Sequence, residues 1–378
     1  RPGGFCPSMR IANVEALHLS IPVVREVADG TQDVLLVRVT TDEGIVGLGE
    51  VVSSSYIGRA IIEAPKSAPR RHGLAAVLIG KDPLDPVARW HDMYEASRWY
   101  GRAGAALHVI SGIDTALWDI VGRAQGKSVA DVWGRKRDKV RAYASVLFPE
   151  TAAEAAALTE RMLAKGVTAI KYGWGPFGRE RARDLALMTA IRRTAGDDVE
   201  IMVDAGRIWD AATAIDRGNE LFERFNITWL EEPLHDEDFD GYRVLAAAAK
   251  GRIAGGEAED TFAAFAKLLD NGVHVVQPDV GRAGGLTICR RVSEAAAAHK
   301  AWAVPHCFGT GVNLVASIQW MGAAADAPFN EYPFTDSPLR NELIAGVPDP
   351  VDGMIPIPDA PGLGIELNES VVQRYRVA

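Results

Sequence analysis

Apolar and polar positions alternate in two different rhythms along this chain. Between residues 10 and 50 the rhythm has period two. Ile11 to Ile21 carries alternating apolar positions, Val34 to Thr40 (VLLVRVT) is β-rich, and Ile45 to Val51 resumes after a turn-like Thr41-Asp42-Glu43-Gly44. A small antiparallel sheet is expected there, with a long polar loop from Val23 to Asp33 and a second loop over Ser53 to Gly58. Helical periodicity dominates from about 61 to 133, with Ile110, Ile113, Leu117 and Ile120 on one face. Trp99, Tyr100 and Arg102 form an aromatic-basic cluster read as packing between domains.

From residue 140 the pattern changes. Short apolar runs alternate with Ala-rich amphipathic stretches: VRAYAS (140–145), TAIKY (168–172), VEIMVD (199–204), ITWLEE (227–232), RIAGGE (252–257), HVVQPD (274–279), AWAVPH (301–306) and FNEY (329–332). Strands alternating with helices imply βα units on a parallel sheet. Eight such strands predict an α/β fold with a closed (β/α) barrel of TIM-like kind over 136–335. An α+β capping domain over 1–135 precedes it, with a C-terminal return over about 336–378. An open doubly wound sheet is the competing architecture.

Seven successive strands end in an ionisable residue: Lys171, Asp204, Glu231, Glu257, Asp279, His306 and Glu331, at steps of 33, 27, 26, 22, 27 and 25 residues. Each step is the length of a strand, a helix and two loops. Charges at the C-terminal ends of barrel strands converge on the face where barrel enzymes keep their active sites. Isolated buried charges are costly, so a ring of seven reads as a site and not as core.

Asp204, Glu231 and Glu257 form an all-oxygen donor set suited to Mg²⁺. Each alone could instead salt-bridge a basic neighbour. Glu232 alternates to the other side of its strand and reads as structural or as a support behind the site residues. Asp279 and His306, on consecutive strands, suit a dyad in which the carboxylate fixes the tautomer and raises the basicity of the imidazole. Lys171 is either a binder of a substrate carboxylate, a base, or a counter-charge to the ring. Glu331 closes the ring as a hydrogen-bond donor or a rim ion pair. The GRAGG run at 281–285 lacks the dinucleotide fingerprint and reads as a tight βα turn. No GxSxG elbow is present, which argues against a serine hydrolase.

The charge balance narrows the partners. With 41 Lys+Arg against 50 Asp+Glu the formal net charge is −9, which lacks the footprint of a nucleic-acid binder. No uncharged apolar run reaches the ~20 residues of a membrane span. The three cysteines, Cys6, Cys289 and Cys307, form no CxxC pair, so neither a disulfide framework nor a zinc site is expected, and the reducing cytoplasm is the expected compartment. Residues 1–8, ahead of Met9, carry no signal-peptide core.

The order Lys, Asp, Glu, Glu, Asp, His, Glu at strand ends resembles the enolase superfamily, mandelate racemase subgroup. The strings that carry the likeness are MVDAG (202–206), WLEEP (229–233), GGE (255–257), QPDVGRAGG (277–285), VPH (304–306), NEY (330–332) and GIDTALWDIVGRAQGKSVADVWG (112–134). The resemblance implies removal of the proton α to a carboxylate, with Mg²⁺ stabilising the enediolate. It implies Asp204, Glu231 and Glu257 as metal ligands, Asp279 and His306 as the dyad, and Glu331 as hydrogen-bonded to the substrate carboxylate. The capping domain would close the site. Its loops near 23–33 and 53–60, Tyr56 among them, would contact the distal part of the substrate and exclude water.

Two positions depart from that pattern. Gly173 stands where the racemases of the subgroup carry a second Lys as base. Gly206 stands where they carry Asn, leaving room that Arg207 or a substrate group would fill. A one-base site favours elimination. The expected activity is therefore dehydration of a sugar acid, aldonate or aldarate, to a 2-keto-3-deoxy acid, by a homo-oligomer acting on a small carboxylate. A racemase or epimerase using the same enediolate is the alternative, and a catalytically retired Mg²⁺-binding protein a third class.

Overall fold

The computed structural model describes residues 9–23, 32–69 and 71–377, so residues 1–8 and most of the expected 23–33 loop lie outside the described residues. Three strands, β1 (Ile11–Ser20), β2 (Asp33–Thr41) and β3 (Val46–Val51), form the antiparallel sheet expected from the alternation. Helices α1 (Ser55–Glu63), α2 (Leu74–Leu78), α3 (Pro86–Gly101), α4 (Ala105–Gln125) and α5 (Val129–Val132) follow. The stretch expected as a loop after the sheet is therefore largely α1.

Helix α4 lies against the sheet with no side chains between parts of the two backbones. A Cβ on Gly49 would sit 1.8 Å from the Gly112 carbonyl oxygen, and one on Gly47 2.0 Å from that of Ala116. Glycine is therefore the residue these two β3 positions admit. On its other side α4 meets the barrel. Trp118 Nε1 donates to Thr287 Oγ1 (2.9 Å), and Asp114 accepts from the Thr287 hydroxyl (2.6 Å) and amide (2.9 Å). Trp90 of α3 donates to the Gly284 carbonyl (2.9 Å).

The expected domain-packing role of Trp99, Tyr100 and Arg102 is corrected by the structure. Trp99 is 75% and Tyr100 45% exposed, and the Tyr100 hydroxyl donates to the nearby His72 carbonyl. α3 buries a single stripe, Pro86, Trp90, Met93 and Ser97, and Trp99 projects from the far side of that stripe.

The second rhythm produces the barrel. Strands β4 (Lys139–Leu147), β5 (Ala169–Gly173), β6 (Glu200–Asp204), β7 (Trp229–Glu231), β8 (Arg252–Gly255), β9 (Val275–Val276), β10 (Trp302–Ala303) and β11 (Asn330–Pro333) alternate with α6 (Ala152–Leu163), α7 (Arg181–Ala195), α8 (Ala211–Phe225), α9 (Phe239–Ala248), α10 (Phe262–Asp270), α11 (Gly285–Ala298) and α12 (Gly311–Ala323). The strands pair in parallel in chain order, and β11 returns to lie beside β4. This is a curled β/α barrel and not an open doubly wound sheet. Among the described residues the β10–β11 seam carries no ladder pairs, and the Cys307 amide bonds the Glu331 carboxylate across it (2.6 Å).

After β11 come α13 (Pro338–Asn341), β12 (Ile344–Ala345), β13 (Met354–Pro356), β14 (Glu366–Leu367) and α14 (Glu369–Tyr375). The chain end reaches the first sheet, where Val377 N donates to the His18 carbonyl (2.9 Å) and Arg376 pairs with Glu15 (2.8 Å). Among the described residues no helix is long and apolar enough to cross a membrane.

Candidate active site

The barrel interior is layered. One inward residue per strand forms a buried floor: Tyr143, Ala169, Met202, Trp229, Ala254, Val275, Val304 and Phe329. Two residues further along each strand, on the same face, stand Ser145, Lys171, Asp204, Glu231, Gln277, His306 and Glu331. Only β8 breaks the count. There Gly256 takes φ +113°, a left-handed value that favours glycine, and the next residue, Glu257, turns to the centre. The period-two pattern thus delivers a polar side chain onto the apolar floor from seven of the eight strands, and the turn at Gly256 supplies the eighth.

Asp204, Glu231 and Glu257 each place a carboxylate oxygen within 4.8 Å of the others, and all three are buried. Asp204 is pushed well above the usual carboxylate range, first by burial and then by the charges of Glu231 and Glu257. Glu231 is also raised, by burial, against the pull of Lys171. Burial works against Glu257 as well, but His306, Lys171 and Arg207 hold it below its ordinary value. Three hard oxygen donors in mutual repulsion fit a divalent cation of the Mg²⁺ type. Their orientation is fixed from behind. Gly206 N–H donates to Asp204 (2.8 Å), while Gln277 Nε2 (2.7 Å) and Trp229 Nε1 (2.9 Å) donate to Glu231.

His306 and Asp279 meet as expected, with Nδ1 and Oδ2 2.7 Å apart; the ring's other nitrogen, Nε2, lies 3.4 Å from Glu257. Burial alone would lower the imidazole, but the carboxylates of Glu257, Asp279 and Glu331 push it up to about 10. Asp279 is held below its ordinary value by His306 in spite of burial.

Lys171 is only 3% exposed, and its ammonium donates a hydrogen bond to Glu231 and forms an ion pair at 2.9 Å with Glu331. Although burial would lower it, these carboxylates hold it well above the ordinary lysine value. Of the roles expected for Lys171, the counter-charge is the one this geometry serves. Glu331 is fully buried and spends its oxygens on Lys171 and Cys307 N–H.

A cavity of about 570 Å³ opens above the ring, walled by Val52, Ser53 and Asp33 of the capping domain and by Leu147, Trp174, Arg282 and Phe308 of the barrel. Arg207 lines it, but its guanidinium faces Glu232 (2.6 Å), Glu257 (2.9 Å) and Asp236 (3.1 Å). Arg207 thus acts as a counter-charge to three carboxylates at the cavity wall. Tyr56 lies on α1, 68% exposed, edge-on to His18 and away from the cavity lining. Gly173 does line the cavity, and a Cβ there would sit 2.7 Å from Asp204 Oδ2.

Sequence reasoning missed Gln277 and Glu50. Gln277 is uncharged, though its place two residues before Asp279 was a usable signal. Glu50 bonds residues about 260 positions away, and no local pattern marks that.

Comparison with known proteins agrees with this geometry. Residues 11–134 match the mandelate racemase / muconate lactonizing enzyme N-terminal domain, and residues 153–371 match the enolase C-terminal domain-like family. The D-galactarolactone cycloisomerase of Agrobacterium fabrum is 33% identical over 358 residues, 91% of each chain. The L-talarate/galactarate dehydratase of Salmonella typhimurium is 33% identical over 340 residues, 89% of this chain and 81% of that protein. The crystal structure of the 3,6-anhydro-D-galactonate cycloisomerase from Zobellia galactanivorans superposes with a TM-score of 0.88 at 28% identity, covering 98% of this chain and all of that one.

Proposed function

The chain belongs to the enolase superfamily, in its mandelate racemase subgroup, and from that premise we propose that it is a Mg²⁺-dependent dehydratase of a sugar acid, an aldonate or an aldarate. The observation that carries the reading is the one-sided placement of groups able to take a proton. His306, backed by Asp279, stands on one side of the cavity. Opposite, Gly173 offers no side chain, and Lys171 is locked between two carboxylates.

Asp204, Glu231 and Glu257 would hold the ion. When bound, Mg²⁺ would supply positive charge that offsets the repulsion of the three carboxylates and stabilises the charge the substrate carboxylate gains. His306 takes the α-proton at Nε2 while Asp279 keeps Nδ1 protonated and the ring oriented. The imidazolium then returns that proton to the β-hydroxyl as its C–O bond breaks. Water leaves, and the resulting enol tautomerises to the 2-keto-3-deoxy acid. Lys171 and Glu331 keep Glu231 and the floor of the site in place, and the capping domain excludes water.

A racemase needs a base on each face of the α-carbon, and the position that would supply the second is glycine. A cyclic substrate would undergo the same elimination with its ring oxygen as leaving group.

The test is a panel of aldonates, aldarates and their lactones incubated with Mg²⁺ and assayed for 2-keto acid and for α-proton exchange in D₂O. Keto acid from an open-chain member, lost in His306→Asn, is the expected result. Product from a ring form alone would make the enzyme a cycloisomerase. Exchange without elimination would favour racemisation, and neither would leave a Mg²⁺-binding protein.

A further inference from the structure

Glu50, in β3 of the capping domain, is buried, and its carboxylate is spent on a barrel helix. It accepts hydrogen bonds from the Thr310 amide (2.9 Å), the Thr310 hydroxyl (2.6 Å) and the Asn313 amide (3.1 Å), at the start of α12. Thr310 already caps this helix by accepting from Val312 N–H (3.2 Å). The helix therefore does not need an anion from another domain to begin.

The next bonds lead to the dyad. Asn313 Nδ2 donates to Asp279 Oδ1 (3.0 Å), the carboxylate oxygen that His306 does not use. Gly281 N–H donates to the same oxygen (2.7 Å), and the Gly281 carbonyl accepts from Val52 N–H (3.0 Å), just past the end of β3. Both donors to Asp279 Oδ1 are thus anchored on one capping segment. The fit is close: a Cβ on Gly309 would lie 2.6 Å from Glu50 Oε1, and one on Gly281 2.5 Å from Val52 Cγ2.

We infer that Glu50 is a positioning residue for the His306–Asp279 dyad. It fixes Asn313, and its strand fixes Gly281, so Asp279 is aimed at His306 only while the capping strand is seated on the barrel. The docking that closes the cavity is then the same event that orients the base. This rests on His306 being the base, so the experiment includes an arm that needs no substrate.

That arm is the downfield proton resonance of His306 Nδ1–H in the full chain with Mg²⁺, assigned by its loss in His306→Asn. Glu50→Ala and Asn313→Ala are expected to shift or broaden it, and Glu50→Gln to do so less, because one acceptor oxygen is kept. The second arm is turnover on a substrate from the sugar-acid panel. There kcat is expected to fall on the order of 10²-fold in Glu50→Ala with KM nearly unchanged. The double variant is expected to be little worse than Glu50→Ala alone, because the two residues act in one chain. Thr287→Val, which loosens the α4 contact elsewhere between the domains, should lower the melting temperature and leave the resonance in place. If Glu50→Ala does not fold, Glu50→Gln and Asn313→Ala carry the test. An unmoved resonance in folded variants, or losses in kcat that multiply in the double variant, would overturn the inference. If the wild type turns over nothing, the proposed function fails while the resonance still decides the role of Glu50.

Discussion

Replacing Lys171 by Met separates a counter-charge from a base. The side chains are similar in length, so the change removes charge more than volume. The ammonium forms ion pairs with Glu231 and Glu331, both fully buried, and among the described residues neither carboxylate pairs with another cation. Removing one member of a buried pair typically destabilises by about 3–5 kcal/mol, because the remaining charge is left uncompensated. With an unfolding entropy near 2.1 cal/mol/K per residue, a 378-residue chain loses roughly 5 °C of melting temperature for 4 kcal/mol. Mg²⁺ should recover part of this loss, since Glu231 belongs to the triad. The stabilisation by saturating Mg²⁺ should therefore be larger in Lys171→Met than in wild type. Differential scanning calorimetry with EDTA and with Mg²⁺ measures both quantities. A melting temperature within a degree of wild type in EDTA would refute the counter-charge argument. So would a variant that folds normally and loses α-proton exchange from only one substrate epimer, which would make Lys171 a second base.

Three further outcomes are expected. His306→Asn should abolish α-proton exchange and dehydration while Mg²⁺ affinity, read by isothermal titration, stays within a few-fold of wild type; retained turnover would exclude His306 as the base. Gly173→Ala forces a Cβ to within 2.7 Å of Asp204 Oδ2 unless that carboxylate moves, so Mg²⁺ affinity should fall by about 10-fold; unchanged affinity would show that Asp204 has room to give. Asp114, buried between α4 and α11, is pushed up to about 7 by burial in spite of its bonds to Thr287. Its folded value lies above its unfolded value, so the folded state holds the extra proton between roughly pH 4 and 7, and the group's contribution to stability falls as pH rises through that window. Asp114→Asn removes this dependence. The urea stability of the variant should rise relative to wild type by on the order of 3 kcal/mol between pH 5 and 8, and a pH-independent difference would refute the assignment.

The ring of ionisable residues was legible because two periodicities coincide. Strand alternation repeats every two residues, and the βα unit repeats every 22 to 33, so an acid at one strand end predicts the next. The same logic located the Mg²⁺-type triad and the His306–Asp279 pair. It failed where charge was not the marker, as at Gln277, and where the partner lay far along the chain, as for Glu50. It also overreached on aromatic residues. Trp99 and Tyr100 invited a packing role that a helix with one covered face does not give them.

By itself, then, the sequence determined the order of elements, the barrel and most of the side chains on its open end, because local periodicity fixes which way a strand residue points; Glu257 is brought in by the turn at Gly256 instead. What those side chains do to one another was decided by tertiary structure. Whether Lys171 is a base or a counter-charge depends on which buried carboxylates lie within hydrogen-bonding reach. Arg207, at the cavity wall, pairs with Glu232, Asp236 and Glu257 for the same reason. Burial and charge act through distances of a few ångströms between residues separated by tens to hundreds of positions, and only the folded chain sets those distances.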